Sequence, residues 1–214
     1  MNNIFIKSVL PNVFAARKDI SGDVWNNNLT LEKGKTYLIE ANSGTGKSSL
    51  LSFIYGYRSD FSGQILFDDS DIKSFSKKQW TLCRNSNIAL MWQDLRLFPE
   101  LSAIENVNIK NNLTHFQKKK NINQWFDKLG ITDKINEKVG KMSFGQQQRV
   151  ALIRTLCQPF DFIFLDEPVS HLDESNANTM AEIVREEADR QGAAIIVTSI
   201  GKRLEINYDS ILKL

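Results

Sequence analysis

The chain has 214 residues, 42% of them hydrophobic, which suits one domain with a substantial core better than two. Its 27 basic and 25 acidic residues leave a formal charge of +2, a near balance that argues against nucleic acid as a partner. Cys83 and Cys157 share no short spacing, so a disulfide framework is unsupported and a reducing cytosol is expected. The longest apolar runs are far shorter than a membrane span, which leaves any membrane path to another polypeptide.

The first ninety residues carry mainly strand signals. The predicted strands are Ile4–Leu10, Leu29–Leu31, Thr36–Ile39, Gln64–Phe67 and Ile88–Trp92. Gly34 lies between the second and third of these runs, and we expect a hairpin turn there. Ser48–Gly56 is predicted to be a helix that follows the third strand after a glycine-rich loop.

Strand signals fade from about Asp94 to Gly140, where Gln117–Leu129 and its surroundings are polar and helical in pattern. Helices and strands then alternate, as Phe144–Gln158, Phe162–Leu165, Ser175–Gln191 and Ala193–Thr198. This alternation favours an α/β fold with a parallel sheet. We expect one domain over residues 1–214, with an α/β core (1–93 and 142–214) and an inserted helical subdomain (94–141).

Residues 41–48 read A-N-S-G-T-G-K-S, the phosphate-loop pattern with Ala41 in place of its first glycine. Gly44 and Gly46 can turn N–H groups inward, and the start of the following helix favours an anion. A plain strand–helix turn is the competing interpretation. The predicted contacts to a nucleotide triphosphate are Asn42, Ser43, Gly44, Thr45, Gly46, Lys47, Ser48 and Ser49. Among them, Lys47 would reach the β- and γ-phosphates and the Ser48 hydroxyl would ligate Mg²⁺.

A second acidic motif supports the nucleotide interpretation. The apolar run that begins at Phe162 ends in Asp166 and Glu167, at the mouth of the predicted sheet. Adjacent residues at a strand end point in different directions, so Asp166 can hold Mg²⁺ while Glu167 faces an attacking water. A general base so placed typically contributes about 10²–10⁴-fold to the chemical step, and Glu167 is the candidate.

The segment Met142–Gln146 (MSFGQ) resembles the L-S-G-G-Q signature of ATP-binding subunits of ABC transporters. Gln93 resembles the glutamine of that family's Q-loop, which touches Mg²⁺ and the water. Ser170–Asp173 resembles the S-A-L-D loop at the dimer seam, with His171 in place of alanine. The resemblance covers essentially the whole chain and implies a P-loop NTPase fold with a RecA-like core and N-terminal antiparallel strands.

The resemblance implies ATP and Mg²⁺ as ligands and a homodimer in the ATP-bound state. Ser143, Gly145 and Gln146 of one subunit would then contact the ATP held by the other. It also implies a separate transmembrane permease subunit and a cytoplasmic location on the inner face of the membrane. The stretch 94–107 resembles subunits of the lipoprotein-release, macrolide-export and cell-division type. Its Leu95, Leu97, Phe98 and Pro99 form either a groove for a coupling helix or packing of the helical subdomain.

Four departures from the family affect the expected mechanism, of which Ala41 is minor. Phe144 replaces a signature glycine and is strained if the backbone there needs a positive φ; otherwise it would add apolar contact between subunits. Ser199 stands where the family has a histidine on the γ-phosphate, so we expect slow or partner-dependent hydrolysis, or an ATP-dependent switch. For the adenine platform, Phe14 is the first candidate and Trp25 the second.

ABC ATPases of DNA repair or translation fit less well, because those carry long coiled coils or two such domains.

Overall fold

The computed structural model describes residues 1–17, 20–42 and 44–214. The strands in these ranges are β1 (Asn3–Pro11), β2 (Asn28–Glu32), β3 (Thr36–Glu40), β4 (Phe61–Phe67), β5 (Ser70–Asp71), β6 (Ile88–Met91), β7 (Phe162–Asp166), β8 (Ala194–Ser199) and β9 (Ser210–Lys213). The α-helices are α1 (Lys47–Ile54), α2 (Lys77–Ser86), α3 (Ala103–Thr114), α4 (Lys119–Lys128), α5 (Phe144–Thr155) and α6 (Glu174–Gln191). The molecule is therefore α/β, as its sequence predicts.

A parallel sheet forms the centre, and its strands run in the order β6-β7-β8-β3-β9. Every residue of β7 and β8 is buried. Strands covered on both faces are typically continuous apolar runs rather than alternating ones, because neither face meets water. The four strands predicted for this region of the sheet, β3, β6, β7 and β8, are confirmed. Their carboxyl ends lie at one edge.

A smaller antiparallel sheet has the order β2-β1-β4-β5. Ile6 of β1 is opposite Leu29 on one side and Ile65 on the other. The predicted hairpin around Gly34 is wrong, because β2 and β3 belong to different sheets. Gly34 does have a positive φ of 81°, which permits a tight turn. The chain leaves that turn into the parallel sheet, where the apolar middle of β3 is buried between β8 and β9.

Three elements have no counterpart among the sequence predictions, namely β5, α2 and β9. Helix α2 is largely polar, and it begins at Ser76, which forms a capping box with Gln79. Strand β9 lies in the segment after Ser199 and pairs with β3, with Ile211 opposite Leu38. The short C-terminal segment therefore completes the edge of the parallel sheet.

Helices α3 and α4 lie between β6 and α5 in the chain. Val107 of α3 and Phe126 of α4 belong to the same buried cluster as Leu165 of β7. Leu95 belongs to this cluster too, with 3% of its surface exposed, whereas Phe98 is 50% exposed. The separate-subdomain boundaries at 94 and 141 stay a prediction. No helix in the described part of the chain is both long and apolar enough to cross a membrane.

Candidate functional site

The ends of four parallel strands bring the predicted site residues together. The loop after β3 leads into Lys47 of α1, and β7 ends at Asp166, next to Thr198 of β8. Ser199 is opposite Glu40, and its carbonyl accepts a hydrogen bond from the Ala41 N–H at 3.1 Å. The carboxyl edge of such a sheet is where α/β proteins bind ligands.

The glycine-rich loop has the backbone that its sequence predicts. Gly44 and Gly46 have positive φ values of 81° and 99°, and Gly46 is the N-cap of α1. The loop is braced from within, since the Thr45 hydroxyl donates to the Asn42 carbonyl at 2.9 Å. Ser43 lies outside the described residues. The left-handed conformations suit a loop whose N–H groups turn toward an anion.

Two aromatic rings support this loop. The indole N–H of Trp25 donates to the Thr45 carbonyl at 2.8 Å, and the Phe14 ring meets the Trp25 ring edge-on at 6.4 Å. A Cβ at position 46 would lie 2.9 Å from the Phe14 ring, so the rings require glycine there. The Arg17 guanidinium lies 4.5 Å from the Phe14 ring centroid. An adenine stacked on that face would have to displace Arg17, and the adenine roles of Phe14 and Trp25 stay predictions.

Lys47 is held between the two acidic residues. Its ammonium pairs with the Glu167 carboxylate and lies 3.9 Å from Asp166 Oδ1, and only 7% of its side chain is exposed. A buried ammonium needs such partners because its desolvation is costly. A phosphate group that entered the loop would compete with Glu167 for Lys47.

Asp166 is 2% exposed and accepts a hydrogen bond from the Thr198 hydroxyl at 2.6 Å. Burial raises the pKa of Asp166, although that hydroxyl and Lys47 act in the opposite direction. Asp166, Ser48 and Gln93 line one cavity of about 410 Å³. Their oxygen atoms are the ligand type that Mg²⁺ prefers, and a cation would relieve the cost of a buried carboxylate. The residues present therefore fit Mg²⁺.

Glu167 sits in a left-handed turn with a φ of 49°. Its N–H donates to the Thr198 carbonyl at 3.1 Å, which ties the turn to β8. Gln148 of α5, which the sequence analysis missed, supports the turn from the other side. Its amide donates to the Glu167 carbonyl at 3.5 Å and to the Ser170 hydroxyl at 3.2 Å. The signature helix thus contacts the backbone of the candidate base.

The signature segment forms the start of α5. Ser143 accepts from the Gln146 N–H at 3.3 Å, and the Gln146 side chain accepts from the Ser143 N–H at 2.9 Å, a capping box. Phe144 is the first helical residue and does not have a positive φ, so the strain considered for it does not arise. Its exposed ring meets the His171 ring edge-on at 4.4 Å. A Cβ at Gly145 would lie 3.0 Å from the His171 carbonyl.

Two serines predicted to contact the nucleotide have hydroxyls that form hydrogen bonds with other protein groups. The buried Ser199 hydroxyl donates to the Lys202 carbonyl at 2.8 Å and accepts from the Gly201 N–H at 3.1 Å. The Ser49 hydroxyl accepts from the Arg58 guanidinium at 3.0 Å. A hydroxyl has one proton to donate, so Ser199 has none left for a phosphate in this conformation.

Comparisons with known proteins agree with this geometry. A family model described as ABC transporter matches residues 24–170. An uncharacterized ABC transporter ATP-binding protein of Bacillus subtilis, YclH, is 33% identical over 188 residues, which cover 84% of this chain and 82% of YclH. The lipoprotein-releasing system ATP-binding protein LolD of Saccharophagus degradans is 30% identical over 175 residues, covering 80% of this chain and 77% of LolD.

A solved structure shows the same fold. The dimeric structure of MJ0796, a bacterial ABC transporter cassette, superposes with a TM-score of 0.79 over 92% of this chain and 88% of that one, at 24% identity. The predicted P-loop NTPase fold, with its parallel core and N-terminal antiparallel strands, is thereby confirmed.

Proposed function

Because the chain belongs to the ABC transporter family of ATPases, we propose that it is the ATP-hydrolysing subunit of a transporter. Binding of ATP and Mg²⁺ closes two copies into a homodimer, hydrolysis reopens it, and a separate membrane subunit uses the motion. This places the protein on the cytoplasmic face of a membrane, as a peripheral subunit. One observation carries the proposal. The buried Lys47, the buried carboxylate of Asp166 and the candidate base Glu167 lie together beside the glycine-rich loop, whose backbone conformation suits phosphate binding.

The nucleotide is held by the loop before α1. Its N–H groups and Lys47 bind the phosphates, and Ser48, Gln93 and Asp166 hold the Mg²⁺. When bound, the cation neutralises charge that builds up on the phosphate oxygens. The remaining contacts of the same loop come from Asn42, Ser43, Gly44, Thr45, Gly46 and Ser49.

The reaction begins when Lys47 exchanges Glu167 for the phosphates of ATP. The freed Glu167 carboxylate accepts a proton from water, and the water oxygen attacks the γ-phosphorus as the bond to ADP breaks. Gln93 orients this water. The backbone of Glu167 is hydrogen-bonded to the Gln148 side chain and to the Thr198 carbonyl, and these contacts keep Glu167 in place. The products are ADP and inorganic phosphate.

The second half of each site comes from the partner subunit. Ser143, Gly145 and Gln146 of one copy contact the γ-phosphate held by the other. In the described residues the N–H groups of Phe144 and Gly145 have no hydrogen-bond acceptor, as expected for the first turn of a helix. Such an end attracts anions, so the start of α5 supports this role.

A switch with little intrinsic hydrolysis is the second candidate. It is favoured by Ser199, whose hydroxyl is already engaged by Lys202 and Gly201. In that case ATP binding alone would drive the closed state, and hydrolysis would depend on the membrane subunit.

ATP turnover with Mg²⁺ separates these candidates. For the transporter ATPase, the wild type turns over and Glu167→Gln lowers the rate at least about 100-fold, because the general base is lost. Glu182→Gln, an exposed change on α6, serves as the matched control and leaves the rate unchanged. A wild type without turnover that gains activity in Ser199→His would indicate the switch. Full activity in Glu167→Gln would refute the role of Glu167.

A further inference from the structure

The histidine that the family uses to contact the γ-phosphate is missing at the end of β8. Ser199 stands there, 3% exposed, and its hydroxyl is bound to the Lys202 carbonyl and the Gly201 N–H. The chain contains two histidines, so only His115 or His171 could supply an imidazole. His115 is the C-cap of α3 and is not among the described residues that line the cavity of the Mg²⁺ ligands, whereas His171 is one of them.

His171 lies in the loop between β7 and α6, and its side chain is exposed. The cavity of about 410 Å³ that holds Ser48, Gln93 and Asp166 extends to this ring and to the ring of Phe144. The two rings meet edge-on at a centroid distance of 4.4 Å. The imidazole therefore faces the groove that also contains the Mg²⁺ ligands.

The loop that carries His171 is packed against the first turn of α5. A Cβ at Gly145 would lie 3.0 Å from the His171 carbonyl, so the two backbones are in close contact. Under the function proposed above, that turn meets the γ-phosphate held by the partner subunit. A side chain packed on the same turn is placed toward the same phosphate.

One nitrogen of the His171 ring is held by the protein, and the other is free. Nδ1 lies 2.9 Å from the Ser170 hydroxyl, which also accepts a hydrogen bond from the Gln148 amide at 3.2 Å. Nε2 has no hydrogen-bond partner among the described residues. The ring is thus oriented through Nδ1, and Nε2 is left for a ligand in the groove.

The proton of the Ser170 hydroxyl decides whether Nε2 donates or accepts. The hydroxyl either donates to Nδ1, which leaves the proton of the neutral ring on Nε2, or donates to the Glu167 carbonyl at 3.2 Å, which leaves Nε2 as an acceptor. A phosphate oxygen at Nε2 stabilises the first arrangement, because it accepts the Nε2–H. The loop can therefore supply a donor to a phosphate.

We propose that His171 replaces the missing histidine, and that its Nε2–H donates to the γ-phosphate of the ATP held by the partner subunit and supports hydrolysis. The proposal rests on the ATPase function proposed above and adds a catalytic residue to it. The imidazole is in effect moved from the end of β8 to the loop between β7 and α6. A fixed donor at charge that develops in a transition state typically contributes about 10²–10³-fold to turnover.

Variants of His171 separate the nitrogen atoms from the packing of the ring. His171→Phe keeps an aromatic ring against Phe144 and removes both nitrogens, so kcat should fall about 100-fold while KM for ATP stays unchanged. Adding Ser199→His to this variant should restore turnover, because it returns an imidazole to the end of β8. The matched control is His115→Asn, which keeps a residue suited to the left-handed end of α3 and should turn over like the wild type.

Nitrogen NMR of the histidine rings gives a readout besides turnover. The chain has two such rings, and His171→Phe identifies the signals that belong to His171. In Glu167→Gln with Mg²⁺, ATP should fix the proton on Nε2 of His171 and shift its signal, whereas ADP, which lacks the γ-phosphate, should not. The signals of His115 should stay unchanged with both nucleotides.

Three results would overturn this role and leave the ATPase function standing. They are a wild-type rate in His171→Phe, a folded His171→Phe, Ser199→His double variant that is as slow as His171→Phe alone, and a His171 signal that responds equally to ATP and ADP. Urea denaturation shows whether each variant is folded. A wild type without turnover would instead refute the ATPase function, and this role with it.

Discussion

The pairing of Lys47 with Glu167 couples binding to chemistry at the level of single residues. Each side chain neutralises the other, and Lys47 is almost fully buried. While the pair exists, the Glu167 carboxylate is engaged by the Lys47 ammonium. In the proposed mechanism, an arriving triphosphate would draw Lys47 away and free the base only when its substrate is present. The same two residues thus explain both the resting state and the reaction.

Gly46→Ala should be more damaging than Gly44→Ala, although both glycines have positive φ. A Cβ at position 46 would lie 2.9 Å from Phe14 and 3.0 Å from Trp25, whereas none of the described atoms considered lies within 4 Å of one at position 44. We expect Gly44→Ala to lower the free energy of unfolding by about 1 kcal/mol from backbone strain, and Gly46→Ala by about 3 kcal/mol because overpacking adds to it. Urea denaturation of the two variants measures the difference, and equal losses would contradict the packing role of the rings.

At the scale of elements, α5 links three parts of the site. Its first turn carries the signature residues, its capping serine is exposed, and Gln148 one turn later contacts the backbone of Glu167. A shift of this helix would therefore move the backbone of the candidate base in the same subunit. In the proposed mechanism, one helix would thus join the dimer contacts at its first turn to the candidate base at its side.

Substitutions of Ser143 separate the cap from the proposed contact with ATP. Ser143→Ala removes the cap and should lower the free energy of unfolding by about 1 kcal/mol. Ser143→Asp keeps a good cap, so we expect stability within about 0.5 kcal/mol of the wild type. Its carboxylate would nevertheless repel the γ-phosphate of the partner subunit and abolish ATP-driven dimerisation. Denaturation and sedimentation on the same samples measure both effects. Normal dimerisation of Ser143→Asp would show that this serine does not face the nucleotide.

At the scale of the whole molecule, the strands that are easiest to predict from the sequence are those buried on both faces. The strands β7 and β8 are recognisable because both faces are covered and their residues are apolar throughout. The hairpin at Gly34 fails because a turn signal does not say which sheet the next strand joins. Helix α2 is missed since little of it is buried, and β9 because its pairing partner in β3 is 173 residues away, as in the pair Tyr37 and Ser210.

The candidate site likewise contains some residues that the sequence identifies and some contacts that only the structure reveals. Lys47, Asp166 and Glu167 can be found from local motifs, because phosphate binding demands those residue types at fixed spacing. The contacts of Trp25, Gln148 and Thr198 cannot, since each reaches across elements that only folding brings together.

The measurement that tests the central claim most directly is the mass of Glu167→Gln in solution, by sedimentation velocity, with and without ATP and Mg²⁺. This variant should bind ATP and fail to hydrolyse it, so the closed state accumulates. We predict one chain without nucleotide and two chains with ATP and Mg²⁺, and a single chain throughout when Gly145→Asp is added, because that carboxylate would face the partner's phosphate. A mass of one chain at saturating ATP, from a protein whose wild type hydrolyses ATP, would contradict an ATP-driven homodimer.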